Sequence, residues 1–324
     1  MPDFQYETND GVAVISWNTP TRNMNIMDLQ SLSDLEIKID KALSDNDVIG
    51  VIITSGKSNF SGGLDLGCIS KIPGIISENY QENLFKGLKV FTNLTRKIEL
   101  AGINNKDTGG KPIVCTLDGD ALGVGFGIAL SCHKIFVSDN PKGKIGFPDI
   151  LIGMPPVAGS ISRLIRKIDK DLCASLLQNG EYINFENAIK HGLVDEMKSS
   201  DELIPFAMQW IKSNLKKNII KPWDMERYSS EDKIPKKFSS LEDEIKQANK
   251  KSSLKGIHPS FGAMFEDLYK NKNKNINFDE ALWSELNWLV NILTHSTQNS
   301  MIKTLHVHKP ALEKGASRPP GVEC

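Results

Sequence analysis

No apolar run in the 324 residues reaches the ~18 needed to cross a bilayer, so a membrane-spanning helix is not expected. Cysteine is scarce: Cys68, Cys115, Cys132, Cys173 and Cys324 make an odd set without CxxC spacing. That excludes a disulfide framework and a thiolate metal centre, and predicts a reduced, cytoplasmic protein with no metal site. Charge of one sign is also lacking. A net charge of −1 gives no footprint for nucleic acid or an anionic surface, and the lysine runs at 212–221 and 270–274 read as solvated faces. There is no GxGxxG fingerprint, no Walker-type phosphate loop and no repeat at a 20–50-residue period. The first seventeen residues lack a basic start leading into an apolar run, so no secretory leader is expected. What is present is ordinary globular material: 40% hydrophobic and 24% charged residues, enough chain for a large core plus an appendage.

Periodicity predicts an α/β organisation up to about residue 195. Alternation at 4–7 and 12–17 around Asn9-Asp10-Gly11 reads as a hairpin. Leu29, Leu32, Leu35, Ile39 and Leu43 have helical spacing, as do Leu84, Leu88, Phe91 and Leu94 within 80–98. Strands are predicted at 48–54, 113–117 and 135–138, an apolar helix at 122–133, and helices at 160–168, 170–178 and 185–190. Beyond 200 the character changes to an amphipathic helix at 201–217, a polar lysine-rich stretch at 220–259, and a helical pattern over 278–312 with Trp283, Leu286, Leu289 and Leu293. Two domains follow, 1–200 and a helical 201–324.

Two glycine-rich turns each follow a predicted strand: Asn59-Phe60-Ser61-Gly62-Gly63-Leu64-Asp65-Leu66 and Gly119-Asp120-Ala121-Leu122-Gly123-Val124-Gly125. Such turns can aim backbone N–H groups at one point, which is how an oxyanion is stabilised. Val124 opens the apolar helix, whose first N–H groups and dipole favour an anion. A single acid, Asp149, follows Pro148 in the next turn. It can move a proton or cap the turn. His133 reads as a core or capping histidine, and Asp65 as a residue closing its own loop.

With these pieces in order, the chain resembles the crotonase (enoyl-CoA hydratase/isomerase) superfamily from about Gly11 to Met197. Asn23-Met24-Asn25-Ile26, Lys111-Pro112-Ile113-Val114, Gly146-Phe147-Pro148-Asp149 and Gly192-Leu193-Val194-Asp195 complete the pattern. The resemblance implies a crotonase-like ββα superhelix, or spiral, core with a helical C-terminal region. Farther on, Lys221-Pro222-Trp223-Asp224, Met301 to Leu305 and Lys314 to Gly321 resemble the part of the multifunctional β-oxidation enzyme that leads into a 3-hydroxyacyl-CoA dehydrogenase domain, of which no trace appears before Cys324.

The resemblance implies an acyl-CoA thioester as substrate, with no further cofactor. Its carbonyl would lie between the Leu64 and Val124 amides, and Asp149 would carry the proton. Met24, Ile26, Gly62, Gly63, Leu66, Gly123, Gly127 and Pro148 would line the substrate and coenzyme channel, with Lys71 a candidate for the coenzyme phosphates. It also implies assembly as a homo-oligomer or with a dehydrogenase or thiolase. One departure touches the chemistry itself: hydratases of this superfamily use two glutamates, and the first position is Gly127 here, the second Asp149. Hydratase/isomerase activity with a single acid, double-bond isomerisation alone, and a degenerate acyl-CoA-binding scaffold remain as three readings. On the first, a carboxylate restored at 127 is expected to raise hydration.

Overall fold

A computed structural model describes residues 2–20, 22–65, 80–103, 110–215, 217, 219–228, 259–272 and 277–294. The hairpin is present: β1 (Phe4–Asn9) and β2 (Val12–Trp17) pair antiparallel around Asp10 and Gly11, both at positive φ. That backbone is the one an Asp-Gly turn supplies without steric cost. Asp28 then caps α1 (Leu29–Ser44) by accepting the Ser31 N–H, so the helix begins at Leu29, which is exposed, while Met27 just before it is buried.

β3 (Gly50–Ser55), β4 (Ile113–Leu117), β6 (Lys134–Ser138) and β9 (Glu196–Lys198) extend the sheet in the parallel sense, in the order β1-β2-β3-β4-β6-β9. Between them run α2 (Tyr80–Leu100), the two-residue β5 (Ala121–Leu122) and α3 (Val124–Ser131). A second sheet joins β5, β7 (Lys144–Gly146) and β8 (Tyr182–Asn184). α4 (Ser160–Leu164), α5 (Lys170–Gln178) and α6 (Phe185–Lys190) complete the first part. The helix predicted at 160–168 is thus only one turn and a half long.

Alternation along the strands divides the core. Ala13, Ile15, Val51, Ile53, Cys115 and Val137 face α1, α2 and α3, whereas Val12, Ile52, Val114 and Phe136 face α7 (Leu203–Ser213) through Leu203, Ala207 and Ile211. α3 is buried on every side, as an all-apolar helix must be.

The later helices, α8 (Pro259–Asn271) and α9 (Phe278–Thr294), share the main core. Leu286, Leu289 and Leu293 are buried there, whereas Trp283 lies outside the stripe, 41% exposed and against Phe85. Glu285 of α9 is buried and accepts the Ser162 N–H at 2.7 Å, closing the N-terminus of α4 where Gly159 offers no side chain. Residues 295–312 of the predicted helical stretch lie outside the described residues, as do Cys68 and Cys324.

A candidate active site at two glycine turns

The loop after β3 is tied down on both flanks. Ser61 bridges to Ala121 of β5, and Leu64 bridges to Met27 at the entrance to α1. Inside it, the buried Asn25 amide donates to the carbonyls of Trp17 and Phe60 and accepts the Thr19 N–H. The two turns touch: a Cβ on Gly123 would lie 3.3 Å from the Gly63 Cα. Gly63 has φ +102° and Gly123 φ +54°, conformations that glycine adopts without strain. Gly125 lets the first turn of α3 rest on the Ser61 side chain, and Gly62 lets Met24 rest on the loop.

This packing leaves two donors over. Gly123 caps α3 without a side chain, and among the described residues nothing accepts the N–H of Leu64 or Val124. Asp149 is the second residue of a 3-10 turn, Pro148–Ile152, which aims its carboxylate at the same point. A Cβ on Gly123 would lie 3.0 Å from each carboxylate oxygen, so glycine is required there for space as well as for φ. The carboxylate caps no neighbouring element. It is 7% exposed, its Oδ2 has no hydrogen-bond partner among the described residues, and burial raises its pKa to about 6. A carboxyl with one unpaired oxygen, titrating close to neutral pH, therefore stands beside two N–H groups that no described residue accepts.

Beside Leu64 opens a cavity of about 240 Å³, walled by Met27, Leu64, Leu84, Leu88, Phe91 and Val157, with Asp28 and Asp65 at its rim. Met24 and Ile26 are half-buried near the same loop, and Pro148 is half-buried beside Asp149. Leu66 and Lys71 lie outside the described residues. Asp65 pairs with the Arg22 guanidinium at 2.8 Å. His133 is a core histidine: its Nδ1 accepts the Ile113 N–H at 2.8 Å, and burial lowers its pKa to about 4.

Gly127 differs from expectation. The space in its Cβ direction is taken by the Ser160 hydroxyl, which lies well inside 3.0 Å of where a Cβ would stand. A glutamate placed at 127 alone would have to displace that hydroxyl. Ser160 gave no signal in the sequence beyond being a small residue at the start of a predicted helix.

A second feature absent from the sequence reading braces this wall. Glu99, fully buried on α2, accepts from Arg163 Nε and Nη2 at 3.0 Å, from Arg96 Nη1 at 2.8 Å and from Trp223 Nε1 at 3.1 Å. Arg96 in turn forks onto Asp224, and Phe278 of α9 stacks on Trp223. Burial alone would raise the Glu99 carboxyl, but Arg163 and then Arg96 hold it below its ordinary value. Arg163 Nη1 and Thr95 Oγ1 both donate to the Ala158 carbonyl, at 2.8 and 2.9 Å. Ala158 has φ +68°, unusual for a residue with a side chain, and the turn it forms carries Val157 to the cavity and Ser160 to Gly127.

At the other end of α3, the buried Lys221 ammonium donates to the carbonyls of Leu130 and Cys132, at 3.2 and 2.5 Å. Burial lowers its pKa to about 8. A cation at that end complements the helix dipole, whose positive end is the Val124 N–H.

The sequence model described as enoyl-CoA hydratase/isomerase matches residues 7–225, two thirds of the chain. The chain belongs to that family. Among its curated relatives, the fatty acid oxidation complex subunit alpha of Shewanella amazonensis is 27% identical over 202 residues, 62% of this chain and 27% of its own length. The peroxisomal fatty acid beta-oxidation multifunctional protein of Arabidopsis thaliana is 29% identical over 227 residues, 70% of this chain and 29% of its own. The enoyl-CoA hydratase/isomerase chain here thus spans under a third of the length of these relatives, corresponding to their hydratase part. Its crotonase fold is also seen in two solved structures, each 17% identical. The enoyl-CoA hydratase of Bacillus halodurans gives a TM-score of 0.64 over 94% of this chain and 100% of that one. The enoyl-CoA hydratase/isomerase of Xanthobacter autotrophicus Py2 gives 0.65 over 96% of each.

Proposed function

We propose that this family member binds enoyl-CoA thioesters of fatty-acid oxidation and moves their double bond, with Asp149 as the sole proton carrier. The observation that carries this reading is the buried Asp149 carboxyl, its Oδ2 unpaired among the described residues, beside two N–H groups that no described residue accepts, with the space at position 127 filled by the Ser160 hydroxyl. The thioester oxygen of a 3-enoyl-CoA accepts from the Leu64 and Val124 amides. Asp149 takes a proton from C2, and the electron pair is delocalised onto that oxygen as a dienolate, where preorganised donors act most strongly. The same carboxyl, now neutral, returns the proton to C4 as the electrons settle between C2 and C3. Base and acid are one group at two moments, so a pKa of about 6 suits both roles near neutral pH.

Hydration asks for more: a water held and deprotonated at C3 while a second group protonates C2. One carboxyl serves that chemistry poorly. A binding scaffold without chemistry would gain stability by pairing the Asp149 Oδ2 or by losing its charge, so this unpaired buried oxygen supports catalysis. The apolar cavity beside Leu64 would take the acyl chain. Association with a dehydrogenase or thiolase belongs to the same reading, since one similar protein is by its name a subunit of a fatty acid oxidation complex and another a multifunctional β-oxidation protein.

Calorimetry tests the binding half. Butyryl-CoA should bind roughly 5–100-fold more tightly than free coenzyme A, the difference reflecting two N–H donors and a buried acyl chain. Equal affinities, or no affinity for any acyl-CoA, would remove the thioester site.

A further inference from the structure

We propose that Ser160 is the residue that bars water addition at this site, by filling with its hydroxyl the place a second acid would need. The inference rests on the isomerase reading above and names the pair, 127 and 160, that sets reaction specificity.

The obstacle is a single atom. From the Cβ position of residue 127, the Ser160 Oγ lies well inside 3.0 Å, whereas the Ser160 Cβ and the Val157 carbonyl oxygen each lie at 3.7 Å, an ordinary contact. Ser160 is fully buried, and its Oγ donates to the Val157 carbonyl at 2.5 Å. Rotating the hydroxyl away gives up that bond inside the core, where an unpaired polar group is costly. Moving the backbone is no easier, because the Ala158 carbonyl is pinned by both Thr95 and Arg163. The hydroxyl therefore resists displacement, and any side chain at 127 must push it aside at a cost. Removing only the Oγ opens the position while leaving the turn in place.

The chemical consequence concerns where a water can be held. In hydration one carboxylate takes a proton from water as its oxygen bonds to C3. The C2–C3 electron pair shifts towards the thioester oxygen, and a second proton arrives at C2. With Ser160 present, Asp149 has no partner for this division of labour. With the position opened, a glutamate at 127 supplies one, on the same helix whose first N–H serves the oxyanion.

An alanine cycle tests the steric claim without substrate. Gly127→Ala in a helix ordinarily adds stability. Here it is expected to lower the melting temperature by roughly 3–10 °C as an overpacking effect, and to do so no longer in a Ser160→Ala background. Additive effects of the two changes would overturn the proposal. Crotonyl-CoA hydration is then compared in Gly127→Glu and in Gly127→Glu with Ser160→Ala, the second expected to be ~10–10³-fold faster. Equal hydration in the two also overturns it. Isomerisation by the unaltered protein reports separately on the underlying reading: a coupled alanine cycle with no isomerase activity would leave the steric gate standing and remove the reaction assigned to the site.

Discussion

Asp149→Asn is expected to lower isomerisation by at least ~10²–10⁴-fold and, at pH 7.5, to make the protein more stable. Both effects have one cause. Burial, only partly offset by a backbone hydrogen bond, raises the carboxyl from 3.8 to about 6, so the fold favours its neutral form. Stability from this group is complete below pH 3.8, where folded and unfolded chains are both protonated, and is lost as pH rises through about 6. A gap of about two units corresponds to roughly 3 kcal/mol, which a neutral isostere recovers at pH 7.5. Melting curves of the two proteins should therefore separate at pH 7.5 and converge near pH 3.8. The kcat/KM of the unaltered enzyme should rise with pH along a limb near 6, as the base ionises. A variant with undiminished rate, or with no gain in stability at pH 7.5, would show that Asp149 is a structural turn residue.

The second large effect lies away from the chemistry. Glu99→Gln should cost about 3–5 kcal/mol, because it leaves Arg163 buried without its counter-charge, while Arg96 keeps Asp224. For a chain of this size that is a fall of roughly 6–15 °C in melting temperature. Activity should fall as well, since Arg163 also holds the Ala158 carbonyl and with it the turn that carries Val157 to the cavity and Ser160 to Gly127. The wild-type contribution has a defined sign with pH. Arg163 and Arg96 hold the Glu99 carboxyl below 4.5, so its share of stability is complete above that value and is lost as pH falls through the lower, folded one. Denaturant midpoints of wild type and Glu99→Gln at pH 7 decide the matter. A loss under about 1 kcal/mol would mean that the junction is solvated or replaceable.

What was legible in the sequence was what local pattern determines. The Asp10-Gly11 turn, the buried strands at 113–117 and 135–138, and the glycines at 63 and 123 all follow from backbone demands expressed within a few residues. The order of those pieces carried the family and the two glycine turns. Three-residue strands such as β7, β8 and β9 are too short for alternation to register, and they exist because neighbouring strands accept them.

The buried charges were invisible for a related reason. Arg96 and Glu99 look like polar interruptions of an apolar helix, and only the partners at 163, 223 and 224 make them a core feature. Likewise Gly127 reads as a vacancy in sequence. It is filled by Ser160, thirty-three positions away, across a turn that no periodicity announces.

The central claim is that one acid at this site moves protons and does not add water. The direct measurement follows 3-hexenoyl-CoA isomerisation and crotonyl-CoA hydration side by side on the unaltered protein at pH 7.5. The account predicts measurable isomerisation with hydration at least ~10²-fold slower. Hydration as fast as isomerisation, or faster, would contradict it.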